Sequence, residues 1–291
     1  MNGKVALVTG GGRGLGRSIA HALAREGAAV AIDDVHRDEQ GALSSDAVAR
    51  EIEAAGGSAL ALSEDVTSEA GAKAMVDKTV ERFGRVDILV NSAGNFARAP
   101  LQDLAAAQWD AVMSLHLRGH FLASKMVLPH MLKQNSGAIL TVASRGAFFQ
   151  VPPSKRVQRD LRKPSGVAYA AAKAGILGFT TTLAVELWDT GINVNCLLPS
   201  ATTSLFPETT PRMVGGVPAA ESLDPDDVAP AAVFLCTPEA ADISGRIMYA
   251  GGGDLVFYGD QLDVRGSRML RKNGRWTQAE LAKVVPSLLG V

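Results

Sequence analysis

The sequence predicts a doubly wound α/β fold: a parallel sheet of seven strands with helices on both faces, followed by a C-terminal extension. Three observations lead there. Short runs rich in Val, Ile and Ala alternate with longer stretches of helical period. The runs are apolar almost throughout rather than alternating, so each strand is expected to be covered on both faces. The chain has 291 residues, 47% hydrophobic and 20% charged, which is enough to fill a full core.

The first apolar run, Val5-Ala6-Leu7-Val8, places a strand over 4–9, and the runs that follow place strands over 28–33, 58–63, 86–91, 138–143, 192–198 and 247–250. Between them, helical period predicts helices over 15–26, 42–55, 68–83, 106–133, 168–189 and 226–235. No boundary splits the pattern, so residues 1–255 read as a single domain. Two segments fall outside it: a Pro- and Arg-rich insertion at about 150–166, and an extension over 256–291.

Charge excludes some functions. With 29 Lys and Arg against 30 Asp and Glu, the net charge is −1, and no long-range field favours nucleic acid or an anionic membrane. Cys196 and Cys236 sit among apolar residues with no CxxC pair and no metal-ligand spacing, so buried thiols in a reducing compartment are expected, and no metal site. No apolar run approaches a membrane span. The first strand begins too close to Met1 for a signal peptide, and a cytoplasmic location is the expectation.

Directly after the first strand comes Thr9-Gly10-Gly11-Gly12-Arg13-Gly14-Leu15-Gly16, opening into a helix. Glycines let backbone turn sharply and approach a pyrophosphate, whose charge is then met by the helix N-terminus. A Gly-rich loop is weak evidence alone; between strand and helix it points to a dinucleotide site of the Rossmann type. Asp34, about eighteen residues past Gly16, closes the second strand, where an acid accepts hydrogen bonds from the adenosine ribose and repels a 2′-phosphate. NAD is therefore expected over NADP, with the Arg13 cation a milder argument the other way.

From these residues the chain resembles the short-chain dehydrogenase/reductase family across roughly residues 3 to 255. Thr9, Gly10, Gly14 and Gly16 meet the pattern TGxxxGxG. Asp65-Val66 matches the adenine-contacting pair, and Asn91-Ser92-Ala93-Gly94 matches the NNAG motif with one Asn replaced. Tyr169-Ala170-Ala171-Ala172-Lys173 is the family's YxxxK, and Ser144 ends the fifth strand where the catalytic Ser stands.

Tyr169 and Lys173, four apart on one helix, share a face. An ammonium and a cationic nicotinamide beside the phenol should lower its pKa, making Tyr169 a general base toward an alcohol or acid toward a ketone. The resemblance implies that Lys173 also holds the nicotinamide ribose and that Ser144 holds the substrate oxygen. It further implies carboxamide contacts near Pro199 and Thr202.

Departures from the pattern carry their own expectations. Where the family has an Asn serving a water-linked proton relay, this chain has His116, whose ring could take a water there. His21, His36, His120 and His130 show no partner pattern and read as structural or solvent-facing. The run His116-Leu117-Arg118-Gly119-His120-Phe121 and the tail are similar to the dehydrogenase unit of peroxisomal multifunctional enzyme type 2, a group that oxidises (3R)-hydroxyacyl-CoA. The insertion carries five cations and one acid over 154–164, and it reads either as a solvated surface loop or as a lid in which Arg156, Arg159 and Arg162 meet an acidic substrate such as a CoA thioester. The alternatives are a bulky steroid, terpenoid or aromatic alcohol, and a non-catalytic nucleotide-binding regulator. An intact Ser144, Tyr169 and Lys173 speaks against the last. Apolar helices over 106–133 and 168–189 suggest a homo-oligomer, a dimer or tetramer.

Overall fold

β1 (Val5–Thr9) is buried at every residue, as only a central strand can be. In the computed structural model, which describes residues 1–97, 99–148, 166–206, 213–214, 217–218 and 222–258, it pairs in parallel with β2 (Ala29–Asp33) on one side and β4 (Ile88–Asn91) on the other. β3 (Ala59–Leu62) extends the sheet beyond β2, and β5 (Gly137–Val142), β6 (Ile192–Pro199) and β9 (Ile247–Gly251) extend it beyond β4. A short antiparallel ribbon joins β7 (Met213–Val214) to β8 (Val217–Pro218). The main sheet has the order β10-β9-β6-β5-β4-β1-β2-β3, where β10 is Asp254–Tyr258.

This confirms the doubly wound parallel architecture and corrects its count, because β10 makes an eighth strand. It follows β9 after only Gly252 and Gly253, with Gly252 at φ +54°, and so short a link forces an antiparallel return. Its half-exposed alternation of Leu255 and Phe257 with their neighbours lacks the fully apolar run that marked the other strands.

Alternate residues of each strand serve opposite faces. Ala6, Val8, Val30 and Ile32 pack with α1 (Gly14–Arg25), α2 (Ser44–Ala54) and α7 (Pro225–Phe234). Leu7, Ala31 and Leu89 pack with α3 (Glu69–Phe83), α5 (Gly119–Gln134) and the end of α6 (Val167–Glu186). By length and mean hydropathy, 1.2, α6 would pass for a membrane span, contrary to the sequence reading; its buried face and place in the core explain that composition. Residues 1–149 and 161–257 group as one unit, and 150–160 with 258–291 as another, of which Tyr258 alone is described.

The helix expected over 106–133 is broken. α4 (Ala106–Met113) gives way to a π-helical turn, Ser114–Arg118, before α5 begins. The wide turn carries His116, whose buried ring bonds to the backbone of Asn95 outside the helix.

Asp87 anchors the start of the sheet. Its carboxylate, 3% exposed, accepts from the Val5 amide at 3.0 Å, from Arg85 Nε at 2.7 Å and from Lys4 Nζ at 3.2 Å. Burial would raise its pKa, but Arg85, the Val5 amide and Lys4 together hold it below the usual carboxylate value. A depressed folded-state pKa contributes stability that is present above about pH 4 and is lost as pH falls through the folded value. Replacing Asp87 by Ala should cost about 1–3 kcal/mol at pH 7 in urea melts, because the Val5 amide is left buried without an acceptor. The difference from the parent should shrink at acid pH.

Candidate active site

Strand register brings the site together. Leu62, Asp33, Thr9, Asn91, Thr141, Cys196 and Ile247 are successive Cα partners, one row across the sheet that lies at or next to the C-terminal ends of β1 to β5. The order in which successive strands are added reverses between β1 and β4, and in such sheets the crevice at that switch point is where ligands bind.

The glycine loop leaves β1 at this point. Gly10 has φ +64°, and a Cβ there would lie 2.7 Å from the Ala93 backbone. At Gly16 a Cβ would stand 2.1 Å from the Gly10 carbonyl oxygen. Thr9 Oγ1 accepts from the amides of Ser92 and Ala93, tying the loop after β4 to the loop after β1. No side chain caps the N-terminus of α1: Arg13 precedes it in extended conformation without a side-chain bond, leaving the amides of Gly14, Leu15 and Gly16 at the mouth of the loop. Uncapped amides and a cradle that a Cβ would fill suit the pyrophosphate of a dinucleotide.

Asp34 Oδ2 accepts from the Gly12 amide at 3.0 Å and Oδ1 from the His36 amide at 2.9 Å. Each oxygen keeps a second acceptor site, so Asp34 both shapes the loop and can still meet a ribose hydroxyl. Its neighbour Asp33 is buried and accepts from the Glu64 amide. Burial pushes it up to about 7 despite that bond, and the charges of Asp34, Glu64 and Asp65 add to the rise. Asp65 accepts from Thr67 and holds the turn before α3, while Val66 is buried beneath it.

Across the crevice, Ser144 follows β5, and Tyr169 and Lys173 lie buried on α6. Ser144 Oγ accepts from the Gly146 amide at 3.0 Å, and its hydroxyl is within hydrogen-bonding reach of Tyr169. Lys173 Nζ donates to the Val142 carbonyl at 2.6 Å and sits 5.5 Å from the Tyr169 ring centroid. The expectation of a lowered phenol pKa is corrected for the protein by itself. Burial pushes Tyr169 up to about 12, with the Ser144 bond opposing, and burial brings Lys173 down to about 7. Desolvation outweighs the attraction between the pair.

His116 packs edge-on against Tyr169, ring centroids 5.3 Å apart. Its Nε2 lies 2.8 Å from the Asn95 carbonyl and 3.1 Å from the Asn95 amide, so it donates to the one or accepts from the other; in the tautomer that donates, Nδ1 keeps a lone pair with no partner. Burial first, then the Lys173 charge, lower His116 to about 3, so it is neutral. Phe96 and Phe206 complete an aromatic wall, with centroids 4.9 and 5.6 Å from that of Tyr169.

Some expected residues stand elsewhere. Thr202 is exposed and its amide donates to Leu223; it is Thr203 whose side chain approaches the loop, 3.3 Å from a Cβ at Gly14. Pro199 ends β6 opposite Ala250. Asn91 is buried, with Nδ2 on Ser124 Oγ, and Gly94 is exposed at the mouth of the crevice. Arg156, Arg159 and Arg162 lie outside the described residues. Of the other histidines, His21 pairs with Glu51 and His36 with Ser44. The sequence reading missed His120, which is buried near Lys173. Its spacing of four from His116 was the available signal. Among the described residues, no group of His, Cys, Asp and Glu could hold a metal ion.

Comparison with known proteins agrees with this geometry. A family model described as short chain dehydrogenase matches residues 4–212. The (2S)-[(R)-hydroxy(phenyl)methyl]succinyl-CoA dehydrogenase subunit BbsD of Thauera aromatica is 33% identical over 264 residues, 88% of this chain and 98% of that protein. A 3-oxoacyl-[acyl-carrier-protein] reductase of Synechocystis is 35% identical over 260 residues, 88% of this chain and 99% of that one. A crystal structure of a short chain dehydrogenase from Mycobacterium avium superposes with a TM-score of 0.82 at 31% identity, covering 99% of this chain and 95% of that chain. These matches do not single out the peroxisomal multifunctional enzymes.

The Gly16→Ala variant should fold, since Ala favours a helix more than Gly does. It should nevertheless lose NAD(P) binding by calorimetry, because the added methyl collides with the Gly10 carbonyl.

Proposed function

The chain belongs to the short-chain dehydrogenase/reductase family and is an NAD(P)-dependent oxidoreductase acting on CH–OH groups; we propose that it prefers NAD and acts on a secondary alcohol or ketone of an acyl thioester. The observation that carries the catalytic part is the convergence of Ser144, Tyr169 and Lys173 at the C-terminal end of β5. When bound, NAD supplies the hydride acceptor and a positive charge on its ring. Gly10, Gly12, Arg13, Gly14, Leu15 and Gly16 would hold the pyrophosphate, Asp34 the adenosine ribose, Asp65 and Val66 the adenine edge. Asn91, Ala93, Gly94, Pro199 and Thr202, with Thr203 added, would line the nicotinamide side.

Tyr169 exchanges the proton at the carbinol oxygen, Ser144 orients that oxygen, and Lys173 supports the phenolate while contacting the nicotinamide ribose. His116, neutral and with a free Nδ1, offers an acceptor beside the phenol and takes the place of the relay Asn. A thioester is supported by the two relatives above, whose names specify CoA and acyl-carrier-protein compounds. The cations Arg156, Arg159 and Arg162 suit the phosphates of either carrier. The wall of Phe96 and Phe206 supports a second reading, a bulky apolar or aromatic alcohol without a carrier. Large exposed side chains, Phe121 and Leu132 on α5 and Val185 and Trp188 at the end of α6, support a dimer or tetramer.

In Tyr169→Phe, kcat should fall on the order of 10²- to 10⁴-fold in an NADH-absorbance assay with 3-hydroxyacyl-CoA, while NAD binding persists. Near-parent turnover would remove Tyr169 from the mechanism. Activity on small apolar alcohols with none on thioesters would select the second reading.

Asp34→Asn keeps an acceptor for the Gly12 amide and removes the charge. It should narrow the preference for NAD over NADP by about 1–3 kcal/mol in paired titrations. Tighter NADP binding by the parent would show Arg13 outweighing Asp34.

A further inference from the structure

His120 stands in the first turn of α5, four residues after His116, and is buried. Its ring lies within hydrogen-bonding reach of the backbone of Asn91, at the end of β4, and of Val142, at the end of β5. The Val142 carbonyl is the one that accepts from Lys173. His120 and Lys173 therefore converge on a single acceptor, from different helices. The other ring nitrogen of His120, Nε2, is buried without a partner. Asn91 Oδ1, Asn95 Oδ1 and His116 Nδ1 share that condition, so four of the six such atoms among the described residues gather in this corner. An unpaired buried polar atom is destabilising, and packing alone would favour an apolar side chain here.

We propose that His120 is a positioning residue: as a neutral imidazole it shares its one available N–H, at Nδ1, between the backbone acceptors at the ends of β4 and β5, at the height where Lys173 docks, and so governs how well the Lys173 ammonium supports the Tyr169 phenolate. The proposal rests on the reading of Tyr169 as the proton-exchanging group. Burial first, then the charges of Lys173 and His116, hold His120 well below its ordinary pKa, so it remains uncharged through the working range. The titratable groups facing this cluster among the described residues are His116 on the π-helical turn, Lys173 and Tyr169 on α6, and Cys196 on β6. With no carboxylate among them, the carbonyls carry the support for the ammonium.

The test compares His120→Leu with His120→Asn, which keeps a short donor toward the carbonyls. The Tyr169 phenolate is titrated by ultraviolet absorbance in the NAD-bound enzyme, with Tyr169→Phe as the blank. The pH profile of kcat is recorded with 3-hydroxybutyryl-CoA. In His120→Leu the phenolate titration should move up by about one unit and kcat near neutrality should fall about tenfold, with KM for the alcohol unchanged; His120→Asn should restore both. If the Leu variant does not fold, His120→Ala replaces it with the same expected shift. A folded Leu or Ala variant whose Tyr169 titrates as in the parent overturns the proposal, as does a shift that Asn fails to reverse. If the parent does not turn over the thioester, the substrate reading fails, and the phenolate titration still decides the role of His120.

Discussion

A buried ammonium sets the terms for the whole crevice. Lys173 leaves water at a cost that brings its pKa down to about 7, and its hydrogen bond to the Val142 carbonyl is the contact that offsets it. That carbonyl belongs to the last residue of β5, whose height is fixed by its register with β4 and β6. The sheet therefore does more than carry the helices. It holds an acceptor where α6 can reach it, and it delivers the glycine loop, the Asn91 turn and Ser144 to the same edge. Burial favours the neutral forms of Tyr169 and His116 and brings Lys173 into the neutral range in the protein by itself, so the site is poised for a positive ring to change the balance.

The sequence made the repeating parts of this architecture plain and the singular parts obscure. Strands buried on both faces read as apolar runs, because every position meets the same environment. The glycine loop was legible because only glycine tolerates the approach of Gly16 to Gly10 and of Gly10 to Ala93. The π-helical turn was not, since apolar spacing over 106–133 continues through it and the cause is a bond from His116 to a distant backbone. β10 escaped because an edge strand with alternating exposure has no apolar run. The direction of the Tyr169 shift followed from burial, which pairwise spacing does not report.

Asp33 and Asp34 show how little identity alone decides. Adjacent carboxylates point to opposite sides of one strand end. Asp34 meets two amides at the rim, whereas Asp33 is drawn inward, where three further carboxylates make its charge harder to sustain. The inner acid is a fixture of the β2–β3 turn through the Glu64 amide, and the outer one is free to address a ligand.

The two thiols have a consequence of another kind. Cys196 lies in the middle of the sheet and Cys236 beyond the end of α7; both are buried, and burial pushes them up to about 11 and about 12. A thiol in that condition is closed to alkylating reagents until the chain around it opens. One reports separation of β6 from its neighbours and the other release of α7, so the molecule carries two internal clocks for its own opening, each readable by the mass that alkylation adds.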